Sequence, residues 1–402
     1  MPRNRRRKQG YLDEPERVTL TLTDMAYEGH AIGRIDEQVV FVEYGIPGEE
    51  VVAEIYRRNA GFSTGRVVEV ITPSPDRVEA PCRYYGLCGG CHWQHISYER
   101  QLELKRHVVR EQLRRIGKFE TQPVNETVAA SDPWGYRNHL RLSAGRHGDI
   151  GFMRRGSHRF LPIETCLIAD SRINEMIALL QGQGAGLHQV ELRAGVNTGD
   201  FMLQPDMTAR VPTAPPAQKT YREALLGREF QISAPSFFQS NTAQAERLAE
   251  LVREKLDPQP EELLLDAYAG VGVFAALFAP DVREVIGIEE SPAAVADAEV
   301  NLRDLPNVRN LKGKVEDVLP ELEEQPDAVI LDPSRLGCHP DVIAAILKLR
   351  PRKLVYVSCD PSTLARDLRL LVDGGFELLD VTPLDMFPQT YHIECVANLR
   401  RR

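Results

Sequence analysis

The amino-acid sequence predicts a multidomain α/β protein, and three observations support this fold class. An amino-terminal run of short alternating strands broken by glycines is typical of a small closed β-barrel. A central stretch combines crowded cysteines with strands and one helix, which predicts an α+β domain with a metal cluster. Beyond it, apolar strands alternate with helices, as in a Rossmann-like parallel sheet. The predicted boundaries are 1–16 for a basic tail, 17–72 for the barrel, 76–232 for the central domain and 233–402 for the α/β domain.

The composition limits the class of protein. The 402 residues are 43% hydrophobic and 27% charged, which suits two or three globular domains. No apolar run approaches the ~20 residues that span a bilayer, and no apolar segment follows the Arg-rich start to make a secretory signal. We therefore expect a soluble, cytoplasmic protein, and a monomer is the default expectation because the sequence leaves the oligomeric state open. The net charge of −9 argues against a protein that coats nucleic acid everywhere, but it does not exclude a local basic face.

The tail and the barrel are the first candidates for such a face. The tail carries five basic residues and no acid in its first ten positions: Arg3, Arg5, Arg6, Arg7 and Lys8. It is either a solvated segment or an arm that contacts phosphate. In the barrel, Arg57, Arg58, Phe62 and Arg66 could form the basic, aromatic surface on which oligonucleotide-binding barrels hold single strands. Many small barrels, however, bind nothing.

Four of the seven cysteines predict a metal centre. They are Cys82, Cys88, Cys91 and, much later, Cys166. An odd cysteine count disfavours a disulfide framework. Three clustered thiolates with one remote thiolate suit an iron-sulfur cube better than zinc, which usually takes two tight pairs. His92 and His95 could replace a ligand, and unligated buried cysteines are the remaining alternative.

The central domain also offers a basic surface. Residues 97–116 have the spacing of a helix, and residues 204–220 indicate a surface loop. Between them lies a strand-rich region with six arginines: Arg137, Arg141, Arg146, Arg154, Arg155 and Arg159. This region is the best candidate for contacting a polyanion, although a solvated sheet face would have a similar composition.

The α/β domain carries a pattern typical of nucleoside binding. Residues 263–274 predict an apolar strand, an acid and a glycine turn that opens a helix. The turn has Gly270 and Gly272 but lacks the third glycine that pyrophosphate binding requires. Three carboxylates follow at successive strand ends: Glu289, Asp317 and Asp332. This order favours S-adenosylmethionine over a dinucleotide, and ordinary strand-end carboxylates are the alternative.

A single thiol lies at a position where open α/β sheets bind ligands. An apolar strand over 354–357 stops at Ser358 and Cys359, and Pro361 opens a helix. This strand, turn and helix place Cys359 at the carboxyl end of the strand. A lone cysteine is commonly a packing residue. A helix N-terminus nearby, however, is expected to lower the pKa of a thiol and favour the reactive thiolate.

Together these features resemble the RNA uracil-5-methyltransferase family, which makes 5-methyluridine in ribosomal and transfer RNA. The resemblance covers nearly the whole chain. It includes the barrel, which looks like a TRAM domain, the cysteine cluster, and three short segments: 236–241, 358–361 and 387–394. One departure is Ser334, because family members usually read Asp-Pro-Pro-Arg or Asp-Pro-Ala-Arg where this chain has Asp332-Pro333-Ser334-Arg335.

The resemblance implies a role for each candidate residue. It implies Cys359 as nucleophile and Glu394 as general base. The implied cofactor residues, with Asp317 near the adenine, are Gln239, Tyr268, Glu289, Asp317 and Asp332. The implied ligands of a [4Fe-4S] cluster are Cys82, Cys88, Cys91 and Cys166.

The expected activity is therefore methylation of carbon 5 of a uridine in RNA. The barrel and the cluster resemble the enzymes of 23S ribosomal RNA more than the shorter transfer-RNA enzymes. Three alternatives remain: a transfer-RNA methyltransferase, a methyltransferase for amines or small molecules, and a non-catalytic RNA-binding protein with a structural metal.

Overall fold

The computed structural model describes residues 10–121 and 123–402. The basic arm predicted at 3–8 lies outside these residues. The chain forms two compact units. The first comprises residues up to Val108 together with Gln389–Tyr391, and the second comprises Val109–Pro388 and His392–Arg402. The compact units thus divide at 108/109, whereas the sequence indicated boundaries near 75 and 232.

The first unit contains the predicted barrel. Its strands are β1 (Tyr11–Met25), β2 (Ala31–Ile35), β3 (Gln38–Glu43), β4 (Glu50–Arg58) and β5 (Phe62–Thr72). They close in the order β1-β2-β3-β5-β4, with β4 antiparallel to β1. Alternate side chains such as Val40, Val42 and Ile55 are fully buried, which is the period-2 pattern of a half-buried strand. The barrel is therefore a closed sheet around an aliphatic core.

The first strand begins earlier than the sequence indicated. β1 starts at Tyr11, so residues 11–16 belong to the barrel and not to the tail. This extension contains Asp13, Glu14, Pro15 and Glu16, and its side chains are largely exposed. It lacks apolar alternation because pairing with β4, and not burial, makes it a strand. After the barrel, helix α1 (Tyr98–Arg115) leads from the first unit into the second, close to the predicted 97–116.

The second unit begins with a five-stranded sheet in the order β10-β9-β6-β7-β8 and a two-stranded hairpin. The sheet and its helix comprise β6 (His139–Ala144), β7 (Ile150–Met153), β8 (Phe160–Pro162), α2 (Ser171–Leu180), β9 (Gln189–Ala194) and β10 (Phe201–Gln204). The hairpin comprises β11 (Thr220–Leu225) and β12 (Arg228–Ser233). The predicted loop at 204–220 is the connection between β10 and β11.

The rest of the second unit is a seven-stranded sheet flanked by helices, in the order β15-β14-β13-β16-β17-β19-β18. Its strands are β13 (Leu263–Ala267), β14 (Glu284–Glu289), β15 (Val308–Lys312), β16 (Ala328–Leu331), β17 (Lys353–Ser358), β18 (Phe376–Leu384) and β19 (Glu394–Arg401). Its helices are α3 (Thr242–Leu256), α4 (Val273–Phe278), α5 (Pro292–Asn301), α6 (Val315–Val318), α7 (Pro340–Leu349) and α8 (Pro361–Asp373).

The topology of this sheet determines where a site can form. Strands β13 to β17 are parallel, so their carboxyl ends share one edge. β19 runs antiparallel to β17, so its amino end lies at that same edge. Within the described residues, none of the helices has both the length and the apolar character needed to span a membrane.

Candidate active site

Cys359 lies where the sequence placed it, in the turn between β17 and α8. The turn is closed by Ser358, whose Oγ accepts from the Asp360 amide at 3.2 Å. Asp360 caps α8, because its Oδ1 accepts from the amides of Ser362 at 2.8 Å and Thr363 at 3.1 Å. The Cys359 side chain is half-buried. The turn therefore presents the thiol at the carboxyl edge of the sheet.

Glu394 is the first residue of β19 and is 3% exposed. In the antiparallel register of β17 and β19, Ser358 is opposite Cys395. The next step of this register brings Cys359 and Glu394 side by side at the end of the ladder, and directly opposed side chains lie on one face of a sheet. The carboxylate also raises the pKa of the thiol. The structure thus brings the predicted nucleophile and base to one place.

Two further charged residues act on this pair. Burial first, and then the Asp332 carboxylate, raise the pKa of Glu394 well above its usual value, whereas the Arg335 guanidinium lowers it. Asp332 follows β16 directly, and burial together with buried Asp266 raises its pKa to about 7. A carboxylate with a raised pKa is a stronger proton acceptor once it is ionised.

The expected low pKa of the Cys359 thiol is wrong for this structure. Burial, followed by the Glu394 carboxylate, raises its pKa to about 11, and only partial compensation comes from Arg335. The helix N-terminus does not lower the pKa of the thiol, because Asp360 occupies two of its N–H groups and adds a negative charge of its own. The thiol is therefore protonated at neutral pH in the structure as it stands.

The glycine turn after β13 has left-handed backbone conformations and a carboxylate bound to its amides. Tyr268 has a φ of +68°, and Gly272, which precedes α4, has a φ of +85°. A Cβ at Gly272 would also lie 3.0 Å from Leu302 Cδ1. The two oxygens of Glu289 accept from the amides of Gly270 at 2.8 Å and Ser291 at 2.7 Å. The Glu289 carboxylate is thereby fixed, and each oxygen keeps a lone pair for a hydroxyl group.

A cleft of about 70 Å³ opens beside this turn. It is lined by Tyr268, Ile288, Glu289, Glu290, Val315 and Glu316. An aromatic ring, two aliphatic side chains and carboxylates that accept from hydroxyl groups suit a nucleoside. The cleft thus contains two of the predicted cofactor residues, Tyr268 and Glu289.

Gln239 lies in a second ordered segment, immediately before α3. Buried Asp297 accepts from the hydroxyls of Ser233 and Ser236, both at 2.6 Å. Buried Arg193 donates to the Ser236 carbonyl at 3.0 Å. These bonds fix the chain before Phe237, whose ring is 76% exposed. Sequence reasoning identified this segment only by resemblance and gave no role to Asp297 or Arg193.

Comparisons with known proteins agree with this geometry. Residues 321–402 match the tRNA (uracil-5-)-methyltransferase family, and residues 14–68 match the TRAM domain. An uncharacterized RNA methyltransferase of Gloeobacter violaceus is 36% identical over 450 residues, which cover 98% of each chain. One from Halalkalibacterium halodurans is 34% identical and covers 98% of this chain and 99% of its own.

The chain belongs to the RNA uracil-5-methyltransferase family.

The fold of a solved relative supports the same assignment. The tRNA (uracil-54, C5)-methyltransferase of Pyrococcus abyssi, in complex with S-adenosyl-L-homocysteine, superposes with a TM-score of 0.75 and 27% identity. The superposition covers 95% of this chain and 99% of that one. The predicted family, its barrel and its α/β methyltransferase domain are thereby confirmed, as is S-adenosylmethionine as the methyl donor.

Asp317, the contact predicted near the adenine, is not among the residues that line the cleft. It is exposed, whereas its neighbours Val315 and Glu316 line the cleft. All three lie on the short helix α6, where successive side chains point about 100° apart. Only the start of that helix decides which carboxylate faces the cleft, and the sequence pattern does not fix that start. A role for Asp317 near the adenine stays a prediction.

Sequence reasoning gave no role to Asp266, the last polar residue of β13. It is fully buried, and its Oδ2 accepts from the Ala275 amide at 2.9 Å. Its Oδ1 has no hydrogen-bond partner among the described residues. Burial raises the pKa of Asp266 to about 7. It connects the glycine turn to α4 and adds to the negative charge near Asp332.

The four predicted cluster ligands lie in ordered local structure. In the first unit, Cys88 Sγ accepts from the Gly90 amide at 3.4 Å, and the Cys82 amide donates to Gln94. In the second unit, the Cys166 amide donates to Asn174 Oδ1 at 2.8 Å. Across residues 10–121 and 123–402, however, no three His, Cys, Asp or Glu side chains are grouped closely enough to hold a metal ion. The [4Fe-4S] cluster and its four ligands stay a prediction.

Proposed function

We propose that this methyltransferase modifies carbon 5 of one uridine in 23S ribosomal RNA through a covalent intermediate on Cys359, with Glu394 as the general base. The observation that carries the mechanism is the adjacency of a thiol and a buried carboxyl group at the ends of β17 and β19. Methylation of an amine would need no such pair. The amine and small-molecule alternatives therefore have less support.

The chemistry of uracil explains the need for a thiol. Carbon 5 of uracil is a poor nucleophile towards a methyl group. When a thiolate adds to carbon 6, the ring becomes an enolate whose carbon 5 can attack. Covalent catalysis thus divides one difficult step into easier ones.

The cofactor residues surround the place where the donor would bind. S-adenosylmethionine supplies a methyl group on a cationic sulfonium. Tyr268 and Glu289 would hold its nucleoside part in the cleft, and Gln239 and Asp332 lie on the segments that follow β12 and β16. A cation near the thiol also lowers the pKa of Cys359, which burial has raised to about 11. Cofactor binding and thiol activation would therefore be coupled.

Glu394 would complete the reaction. After methyl transfer, carbon 5 still carries its proton. Glu394 removes this proton, the C–H electron pair re-forms the double bond between carbons 5 and 6, and the C6–Sγ bond breaks to return the thiolate. The burial of Glu394 keeps competing water bases away from that proton.

The target uridine must leave the RNA stack to expose both faces of its ring. The arginines of the central sheet would supply positive charge for phosphate contacts, whereas Arg58 and Arg66 of the TRAM barrel are paired with Glu16 and Glu54. Arg141, on β6, is exposed on this sheet. The exposed ring of Phe237 is an aromatic surface of the kind that stacks on unpaired bases.

The choice of RNA has two candidates. The barrel and the cysteine cluster favour ribosomal RNA, by likeness to enzymes of that kind. Transfer RNA is favoured by the solved relative from Pyrococcus abyssi, which is a tRNA methyltransferase. Mapping 5-methyluridine in total RNA from cells with and without the gene distinguishes them: loss from 23S RNA supports our proposal, and loss from tRNA contradicts it. We further propose that the enzyme acts as a cytoplasmic monomer.

We retain a [4Fe-4S] cluster on Cys82, Cys88, Cys91 and Cys166 as a proposal from their spacing. The amide of Gly90, which donates to Cys88 Sγ, is the kind of donor that surrounds cluster sulfurs. No step of the proposed reaction passes through a cluster. Uracil methylation needs no electron, so any cluster would be structural.

The covalent mechanism is testable with RNA that contains 5-fluorouridine. Fluorine cannot leave as a proton does, so the wild type should form an RNA adduct that survives denaturant. Cys359→Ser should form none and should transfer no methyl group. A Cys359→Ser variant with full activity would refute the mechanism.

A further inference from the structure

A buried carboxylate on α8 organises the loop that follows Asp332. Asp367 is 1% exposed. Its Oδ2 accepts from the Cys338 amide at 2.9 Å and from the Tyr356 hydroxyl at 2.7 Å. Its Oδ1 accepts from Arg366 Nε at 2.8 Å. One side chain thus binds the end of the loop, strand β17 and its own helix.

Two further bonds hold the same loop, residues 334–338, against α8. Arg366 donates through Nη2 to the Leu336 carbonyl at 3.0 Å. Thr363 Oγ1 lies 3.3 Å from the Arg335 carbonyl and donates to it. Gly337 has a φ of +76°, and a Cβ there would lie 2.5 Å from Asp367 Oδ2. The loop therefore fits closely on the helix that starts behind Cys359.

This loop carries Arg335 to the reacting pair. The Arg335 guanidinium lowers the pKa of both Cys359 and Glu394. Its Nη2 lies 3.4 Å from His392 Nδ1, two residues before Glu394. Three carboxylates on neighbouring elements oppose this effect and raise the pKa of Cys359: Glu394, Asp332 and Asp360. A small displacement of Arg335 would leave the thiol facing carboxylates.

We propose that Asp367 is a positioning residue that holds the 334–338 loop, and with it the Arg335 guanidinium, beside Cys359 and Glu394. Asp367 itself does not touch the reacting atoms. The inference rests on the proposed function, since it concerns the activation of the same thiol. The link between Asp367 and Arg335 is the set of hydrogen bonds that hold the 334–338 loop on α8.

The test measures the rate of adduct formation against pH, with saturating S-adenosylmethionine and 5-fluorouridine-containing 23S RNA. The wild-type rate should rise with pH to a plateau as the thiol ionises. In Asp367→Asn the loop loosens and Arg335 retreats, so the midpoint should rise by about one pH unit. Well below the midpoint the rate should fall about tenfold, while the plateau stays within about threefold.

The matched control is Asp373→Asn, which makes the same change on the same helix but removes only a surface ion pair with Arg369. Its midpoint should equal that of the wild type. Arg335→Gln should raise the midpoint at least as far as Asp367→Asn, and the double variant should show no further rise, because both changes remove one effect. Should Asp367→Asn fail to fold, Arg366→Gln tests the loop from its exposed side and should raise the midpoint by a smaller amount.

Several outcomes would overturn the inference. An unchanged midpoint in both loop variants, or additive shifts in the double variant, would show that Asp367 does not act through Arg335. A higher KM for S-adenosylmethionine with an unchanged midpoint would instead indicate an effect through Tyr268, which the Cys338 thiol contacts. If the wild type forms no adduct at any pH, the proposed function fails, and not the positioning role.

Discussion

Replacing Glu394 by glutamine should separate methyl transfer from product release. The amide has the shape of the carboxylate but cannot accept the carbon 5 proton. The Cys359 thiolate should still attack carbon 6 and the methyl group should still move. The reaction should then stop with the methylated base bound to the enzyme. The stalled species on ordinary uridine RNA is the expected signature.

The position of Glu394 sets the size of the effect. General-base catalysis contributes about 10²- to 10⁴-fold, or about 3 to 5 kcal/mol in the barrier. Glu394 is only 3% exposed, so bases from solvent have little access to the site. Turnover of Glu394→Gln should therefore fall by a factor near the upper end of that range. The raised pKa of Glu394 also predicts that wild-type turnover decreases as pH falls through that pKa, because the base becomes protonated.

The variant should remain folded. Since burial raises the pKa of Glu394 above its unfolded value, its contribution to stability decreases as pH rises towards the folded pKa. A neutral glutamine avoids this loss, so Glu394→Gln should be at least as stable as the wild type at pH 8.

The assay combines single-turnover methyl transfer with denaturing gels of the RNA. Glu394→Gln should complete one methyl transfer per enzyme and retain the RNA as a stable adduct. The control is Glu377→Gln, an exposed position on the neighbouring strand β18, which should turn over normally. If Glu394→Gln releases methylated RNA at the wild-type rate, Glu394 is not the base.

Three other predictions follow from buried groups and from the cysteines. Burial raises the pKa of Asp266 from 3.8 to about 7, so the wild type loses stability as pH rises from about 4 to 8. The unfolding free energy of Asp266→Asn relative to the wild type should therefore increase over that range by up to about 4 kcal/mol. Urea unfolding at pH 5 and pH 8 checks this, and a pH-independent difference would contradict it. The buried side chain of Gln101 hydrogen-bonds Gln389, and the Gln389 carbonyl accepts from the amides of His92 and Trp93. Gln101→Met should therefore speed hydrogen exchange at those two amides. Unchanged protection would show that Gln101 does not hold Gln389 in place. Anaerobic preparations should contain about four irons per chain and lose them in Cys91→Ser; zinc in their place would refute the cluster.

The sequence predicted well what local patterns control. An apolar run, a cysteine and a proline over 354–361 are enough to predict strand β17, the turn and helix α8. The glycine turn and Glu289 were predictable for the same reason, because strand ends at one edge of a parallel sheet must meet.

Features that depend on long-range register were not predictable in this way. Cys359 and Glu394 are adjacent because β19 returns antiparallel beside β17, and residue types alone do not specify that pairing. Without the family resemblance, Glu394 would be one carboxylate among many. The hydrogen bonds of Asp367 were not predictable either, because they join α8 to β17 and to the loop before α7.

Electrostatic properties were the least predictable. The sequence suggested a helix N-terminus that would activate Cys359, yet the residue that caps the helix, Asp360, cancels its effect. Burial, which a linear pattern does not reveal, is then the largest influence on the pKa of the thiol. The compensating cation is Arg335, whose loop is held by contacts from later residues of the same helix, α8.

Locating the bond between enzyme and RNA shows whether Cys359 is the nucleophile. The wild type is incubated with S-adenosylmethionine and 5-fluorouridine-containing RNA, digested, and examined by mass spectrometry. We expect a methylated 5-fluorouracil nucleotide attached to the peptide that contains Cys359. Attachment at another residue, or methylated RNA produced with no covalent species, would contradict it.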